Sequence, residues 1–88
     1  MEQQREELRK FIIENFLYGD QRIPLKDDDS FSDKGIIDST GVIELVAFVE
    51  TRFEISIEDE EMIPENFDSL AKVIRYVARK QHGGSHAG

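Results

Sequence analysis

Three stretches of this chain of 88 residues place apolar side chains at helical spacing. Such spacing demands helices whose apolar faces must meet. Over 2–17, Leu8, Phe11, Ile12, Asn15 and Phe16 follow the i, i+3, i+4 rule with charged residues opposite, and Gly19-Asp20 stops the run. Over 39–54, Val42, Leu45, Val46, Val49 and Phe53 share one arc of about 100°. Over 69–81, Leu70, Val73, Ile74, Val77 and Ala78 share a face, with Lys72, Arg75 and Arg79 opposite. Pro64 suits a first helical position and opens a short turn through Phe67. Ile55-Ser56-Ile57 alternates as a strand would, but no partner strand is visible. The pattern predicts an all-α fold, a small four-helix bundle of three main helices plus a short third one. Residues 1–81 make one domain, and 82–88, with Gly83-Gly84-Ser85, read as a flexible tail.

Between the first two helices lies a segment, 18–38, with no sustained period. It holds Pro24, the run Asp27-Asp28-Asp29 and Gly35. A loop this long is unusual in a compact domain and is commonly functional. Ile23, Leu25, Phe31, Ile36 and Ile37 are spaced along it as pins to the core.

The net charge of −8 is unevenly spread. Residues 27–68 carry 14 acids and two bases, whereas 69–88 carry four bases and no acid. An acidic surface repels nucleic-acid phosphates and favours basic partner surfaces. No cysteine is present, which excludes a disulfide scaffold and thiolate metal ligands. No apolar run approaches the ~18 residues of a membrane span. The start lacks the basic-then-apolar pattern of a secretory signal. A cytoplasmic monomer is expected, with neither nucleic acid nor membrane among its partners.

Catalytic machinery is hard to assemble from these residues. The two histidines, His82 and His86, sit in or beside the tail, so neither a Ser–His–Asp set nor a metal site can be argued. The aspartate run lacks the alternate spacing and terminal glutamate of a calcium loop, and reads as solvated acid. Gly35 and Gly41 form no phosphate loop. One motif remains, Asp38-Ser39 at the head of the second helix. Asp and Ser are ordinary helix caps, and Asp68-Ser69 repeats the pair at the head of the last helix. Context separates them. Ser39 follows the long acidic loop and opens a helix with a second, mixed face on which Ile43 and Ala47 sit among Glu44, Glu50 and Glu54. A phosphate ester there would lie near the positive end of the helix dipole.

These residues, in this order, resemble the acyl carrier protein family over about residues 5–81. The match comprises a first helix, a long loop, Asp38-Ser39, the run Val42-Ile43-Glu44-Leu45-Val46-Ala47-Phe48-Val49-Glu50, an acidic connector, a short helix and a last amphipathic helix. The resemblance implies a bundle of the acyl-carrier type. It implies that Ser39 accepts 4′-phosphopantetheine from coenzyme A by a phosphopantetheinyl transferase, with Asp38 its neighbour in the motif. The cofactor thiol would carry an acyl or aminoacyl cargo as a thioester.

The resemblance also implies a recognition helix, with Ile43, Glu44, Ala47 and Glu50 read by basic partners. Those partners would be an activating ligase and downstream transferases or synthases. Carriers of fatty acid synthesis commonly have leucine after the serine. Here Thr40 and Gly41 follow, a form closer to stand-alone specialised carriers, D-alanyl and other aminoacyl carriers among them. The chain would then deliver intermediates rather than catalyse. The competing reading is an acidic helical interaction module with no cofactor.

Overall fold

The apolar stripes of three long helices converge on one core. They are α1 (Glu2–Phe16), α2 (Ser39–Phe53) and α4 (Leu70–Ala87). A four-residue helix, α3 (Pro64–Phe67), precedes α4, and a 3-10 turn at Asp59–Glu61 precedes α3. The computed structural model describes residues 2–17 and 25–87, with side chains as far as His82. The stop at Gly19-Asp20, Ile23 and Pro24 lie outside the described residues. No strand occurs among the described residues. Ile55 and Ile57 turn inward between α2 and the 3-10 turn, so their alternation serves burial rather than strand pairing.

Leu8 and Ile12 of α1 meet Leu45 and Val49 of α2 and Leu70, Val73 and Val77 of α4, all fully buried. Each such side chain contributes about 1.5–3 kcal/mol when removed from water. Along the predicted stripe of α2, Val46 and Phe53 are buried as well, whereas Val42 is half-buried. Asn15 departs from the apolar face assigned to it. It is exposed, and its Nδ2 donates to the Phe11 carbonyl at 2.9 Å. An amide at a helical surface finds its partner in the backbone one turn back.

Each helix boundary has a local cause. At α2, Asp38 adopts an extended conformation and its Oδ1 accepts the Gly41 N–H at 2.8 Å, an N-cap. The helix ends at Phe53, one residue before the expected 54, because Glu54 turns left-handed (φ 56°) and donates its N–H to the Glu50 carbonyl. Pro64 occupies the first turn of α3, as its spacing predicts. The α4 backbone stays helical to Ala87, beyond the predicted end at 81. Glycine lowers helix stability by about 1 kcal/mol against alanine but does not forbid helix, and no proline follows.

The described part of the long loop is pinned. Leu25, Phe31 and Ile37 are buried, and Ile36 is half-buried. Its backbone is stitched to the other end of the chain: the Phe31 N–H donates to the Asp68 carbonyl at 2.7 Å and the Ala71 N–H to the Asp27 carbonyl at 2.9 Å. The aspartate run is not the solvated acid expected of it. Asp27 pairs with Arg5 and Arg9 of α1, each at 2.9 Å. Asp29 accepts the Lys26 N–H at 2.9 Å and lies 3.8 Å from Lys34 Nζ. Of the three, Asp28 alone is exposed. Two half-buried carboxylates here hold the loop instead of merely facing water.

Candidate functional site

The two Asp-Ser pairs of the chain are used in opposite ways. In the first, the aspartate caps. Asp38 takes the Gly41 N–H through its side chain and the Val42 N–H through its carbonyl, at 3.0 Å. Ser39 is therefore released from capping, and it is exposed. The helical ladder offers no partner to the N–H groups of Ser39 and Thr40, which belong to the first turn. In the second pair, the serine caps. Ser69 is buried, and its Oγ accepts the Lys72 N–H at 3.1 Å. Asp68 turns back to the loop instead, accepting the Ser32 N–H at 3.0 Å and the Ser30 hydroxyl. One serine is free at a helix start; the other is enclosed.

Gly41 fixes the approach of that helix start to α1. A methyl group there would lie 2.8 Å from Phe16 Cε1 and 2.9 Å from Ile37 Cγ2. Real side-chain contacts do not reach that close, so any larger residue here would force Phe16 or Ile37 to shift.

Ser39 opens on a groove of about 410 Å³ beside α2 and α3. Phe31, Ile37, Val42, Met62, Ile63 and Phe67 make its apolar walls. Ser32, Asp38, Ser39 and Asp68 are the polar residues that line it. Its volume lies within the range of small-molecule sites, about 300–1,000 Å³. The Asp68 carboxyl is held below its ordinary range: burial opposes ionisation, but the hydrogen bonds from Ser30 and Ser32 outweigh it. Asp68, one of the residues that line the groove, is thus ionised at neutral pH.

The wall on the α3 side is braced from behind. The Tyr76 hydroxyl and Lys80 Nζ, both from α4, donate to Glu61 Oε1 at 3.0 Å each. Asn66 Nδ2 donates to the Glu61 carbonyl at 2.8 Å, and Arg79 Nη2 donates to Asn66 Oδ1 at 2.8 Å. Helix α3 accordingly packs mainly on α4.

The predicted partner residues separate on the surface of α2. Ile43 is 63% exposed, a large value for isoleucine, and borders the groove. Glu44 and Ala47 are exposed beside it. Glu50 is half-buried, and its Oε2 accepts the Ile57 N–H at 2.8 Å, so this carboxylate also ties the connector to α2. Ile63, 42% exposed, faces the same groove and was not among the expected residues. It precedes a proline in an aperiodic connector, where periodicity carries no signal. Phe31, Met62, Phe67 and Asp68 were missed for the same reason. Among the described residues, no group of three or more His, Cys, Asp or Glu is placed to hold a metal ion, and no helix is long and apolar enough to cross a membrane.

The helix order and the exposed serine at the head of α2 define a helical bundle of the acyl-carrier type. The D-alanyl carrier protein of Streptococcus uberis (strain ATCC BAA-854 / 0140J) is 33% identical over 73 residues, 81% of this chain and 91% of that protein. The D-alanyl carrier protein of Streptococcus pyogenes serotype M1 is 29% identical over 77 residues, 85% of this chain and 96% of that protein. No family model matches the chain. By its likeness to these proteins the chain belongs to the acyl carrier protein family. It is a carrier protein.

Proposed function

We propose that Ser39 is the residue that carries 4′-phosphopantetheine, and that the chain presents an aminoacyl group, of the D-alanyl kind named for its relatives, to partner enzymes in the cytoplasm. The observation that carries this reading is the contrast between Ser39 and Ser69. The exposed hydroxyl is the one freed by its neighbour's capping. The other is a buried cap.

The site fits the group. The Ser39 hydroxyl is open to attack on the pyrophosphate of coenzyme A. A phosphodiester forms at Oγ, the P–O bond to the nucleotide half breaks, adenosine 3′,5′-bisphosphate leaves, and the hydroxyl proton passes to a base of the transferase. Backbone N–H groups at the start of α2 favour the phosphate through the helix dipole. When bound, the group supplies a thiol that holds the cargo as a thioester. The chain's own part is to hold that group at a fixed point, raise its effective concentration at partner sites, and select partners. Ile43, Glu44 and Ala47 form the docking face, with Glu50 supporting it from below. Exposed carboxylates act there mainly on encounter and selection. The reading assigns no catalysis to the chain itself. The partners are a phosphopantetheinyl transferase, an activating ligase and an acyl-transferring enzyme.

The test is an intact mass after incubation with coenzyme A and a promiscuous phosphopantetheinyl transferase. One added phosphopantetheine is expected on the wild type and on Ser69→Ala, and none on Ser39→Ala. An unmodified wild type, under conditions that load a control carrier, would overturn the reading in favour of a cofactor-free interaction module.

A further inference from the structure

Among the described residues, the buried polar side chains are Ser69 and Asn66. Ser69 caps α4. Asn66 lies in α3, and its amide is engaged at both ends. Its Nδ2 donates to the Glu61 carbonyl at 2.8 Å, and its Oδ1 accepts Arg79 Nη2 at 2.8 Å. A guanidinium only donates and a carbonyl only accepts, so the amide can stand in one orientation alone. An apolar side chain of the same size would fill this space without the cost of burying an amide. The amide therefore supplies direction rather than burial.

What it directs is Ile63. The Asn66 backbone N–H donates to the Ile63 carbonyl at 2.9 Å, while its side chain holds the Glu61 carbonyl two residues earlier. One residue thus closes the chain on both sides of Met62. Helix α3 has four residues and its N-cap, Ile63, makes no side-chain capping bond. A helix this short does not hold itself in place. Ile43 and Ile63 are the exposed large hydrophobic side chains among the described residues, and both line the groove on which Ser39 opens. Ile43 is placed by a long helix, Ile63 by Asn66. We propose that Asn66 is a positioning residue for docking: its two bonds set Ile63 at the spacing from Ile43 that the phosphopantetheinyl transferase reads as it closes over Ser39. This rests on the assignment of Ser39 as the carrying residue. Arg79, which orients the amide, acts one step further back.

The experiment is steady-state loading by the transferase, with the full chain as the varied substrate and coenzyme A saturating. Asn66→Asp keeps an oxygen for Arg79 and removes the donor to Glu61. It is expected to raise KM several-fold with kcat unchanged, and Ile63→Ala to do the same. In the Ile63→Ala background, Asn66→Asp is expected to change KM no further. An equal rise in both backgrounds would overturn the proposal, because Asn66 would then act other than through Ile63. So would an unchanged KM in Ile63→Ala or in folded Asn66→Asp, or a fall in kcat with KM held. If Asn66→Asp does not fold, Arg79→Ala, at an exposed residue, carries the comparison. It is expected to raise KM less, and again only where Ile63 is present; a rise independent of Ile63, or none, overturns the proposal. Failure of the wild type to load at Ser39 would remove the carrier assignment and this inference together, whereas loading with unaltered or additive KM values removes this inference only.

Discussion

The Tyr76 hydroxyl donates to Glu61 Oε1 at 3.0 Å, joining the middle of α4 to the 3-10 turn that leads into α3. The ring is buried against Phe67, with centroids 5.0 Å apart, so one side chain both fills the core and fastens the groove's outer wall. Burial and the facing carboxylate both push the phenol's pKa upward, and it remains a donor at any physiological pH. Tyr76→Phe keeps the packing and removes the bond. It should cost about 1 kcal/mol, read as a lower urea midpoint. Glu61 keeps Lys80, so the loss stays within a single hydrogen bond.

Glu61 and Asp68 make stability depend on pH in one direction. The Glu61 carboxyl is lowered chiefly by the Glu58 N–H, against burial, with help from Lys80 and Tyr76. Asp68 is lowered by Ser30 and Ser32, against burial. A depressed folded-state pKa stabilises above the unfolded carboxylate range and is lost as pH falls through the folded values. Thermal melts should therefore show a falling midpoint below about pH 4. The fall should be shallower in Glu61→Gln, whose side chain no longer titrates.

Gly41→Ala should destabilise the fold by about 1–3 kcal/mol through overpacking against Phe16 and Ile37. The same substitution at an open helix surface would stabilise slightly, so the sign of the change in denaturant midpoint is the check.

Ser69→Ala should cost about 1 kcal/mol, the ordinary loss of an N-cap, while its loading with phosphopantetheine matches the wild type. Ser39→Ala should show the reverse: an unchanged urea midpoint and no loading. Swapped results for the two serines would contradict the roles assigned to them.

On the docking face, Ile43→Ala and Glu44→Lys should each slow loading by the transferase several-fold without moving the thermal midpoint, since both side chains are exposed. Glu50→Ala should lower the midpoint, because it leaves the Ile57 N–H without its acceptor. A stability loss therefore marks the glutamate that supports the connector, and a rate loss alone marks those that meet a partner.

The helices were legible because each buries a stripe, and burial leaves a period. Leu45 and Val49 announced α2, and Val73 and Val77 announced α4, from spacing alone. What periodicity could not reach was the ground between helices. The 3-10 turn at Asp59–Glu61 and the groove residue Ile63 sit where contacts join distant segments. No local pattern encodes the bond from Ser32 to Asp68, 36 residues away. Asn15 and Asp27 show the complementary error, in which residue type was read without its partner. Asn15 belonged to the surface, and Asp27 to a three-way tie with Arg5 and Arg9. Of the candidate site, Ser39 and the face of Ile43 could be found from the sequence, but the groove beside them required the fold.

The two banks of the groove are thus positioned by different parts of the chain: Ser39 and Ile43 ride on α2, whereas Ile63 and Phe67 take their place from the bonds that α4 makes to Glu61 and Asn66.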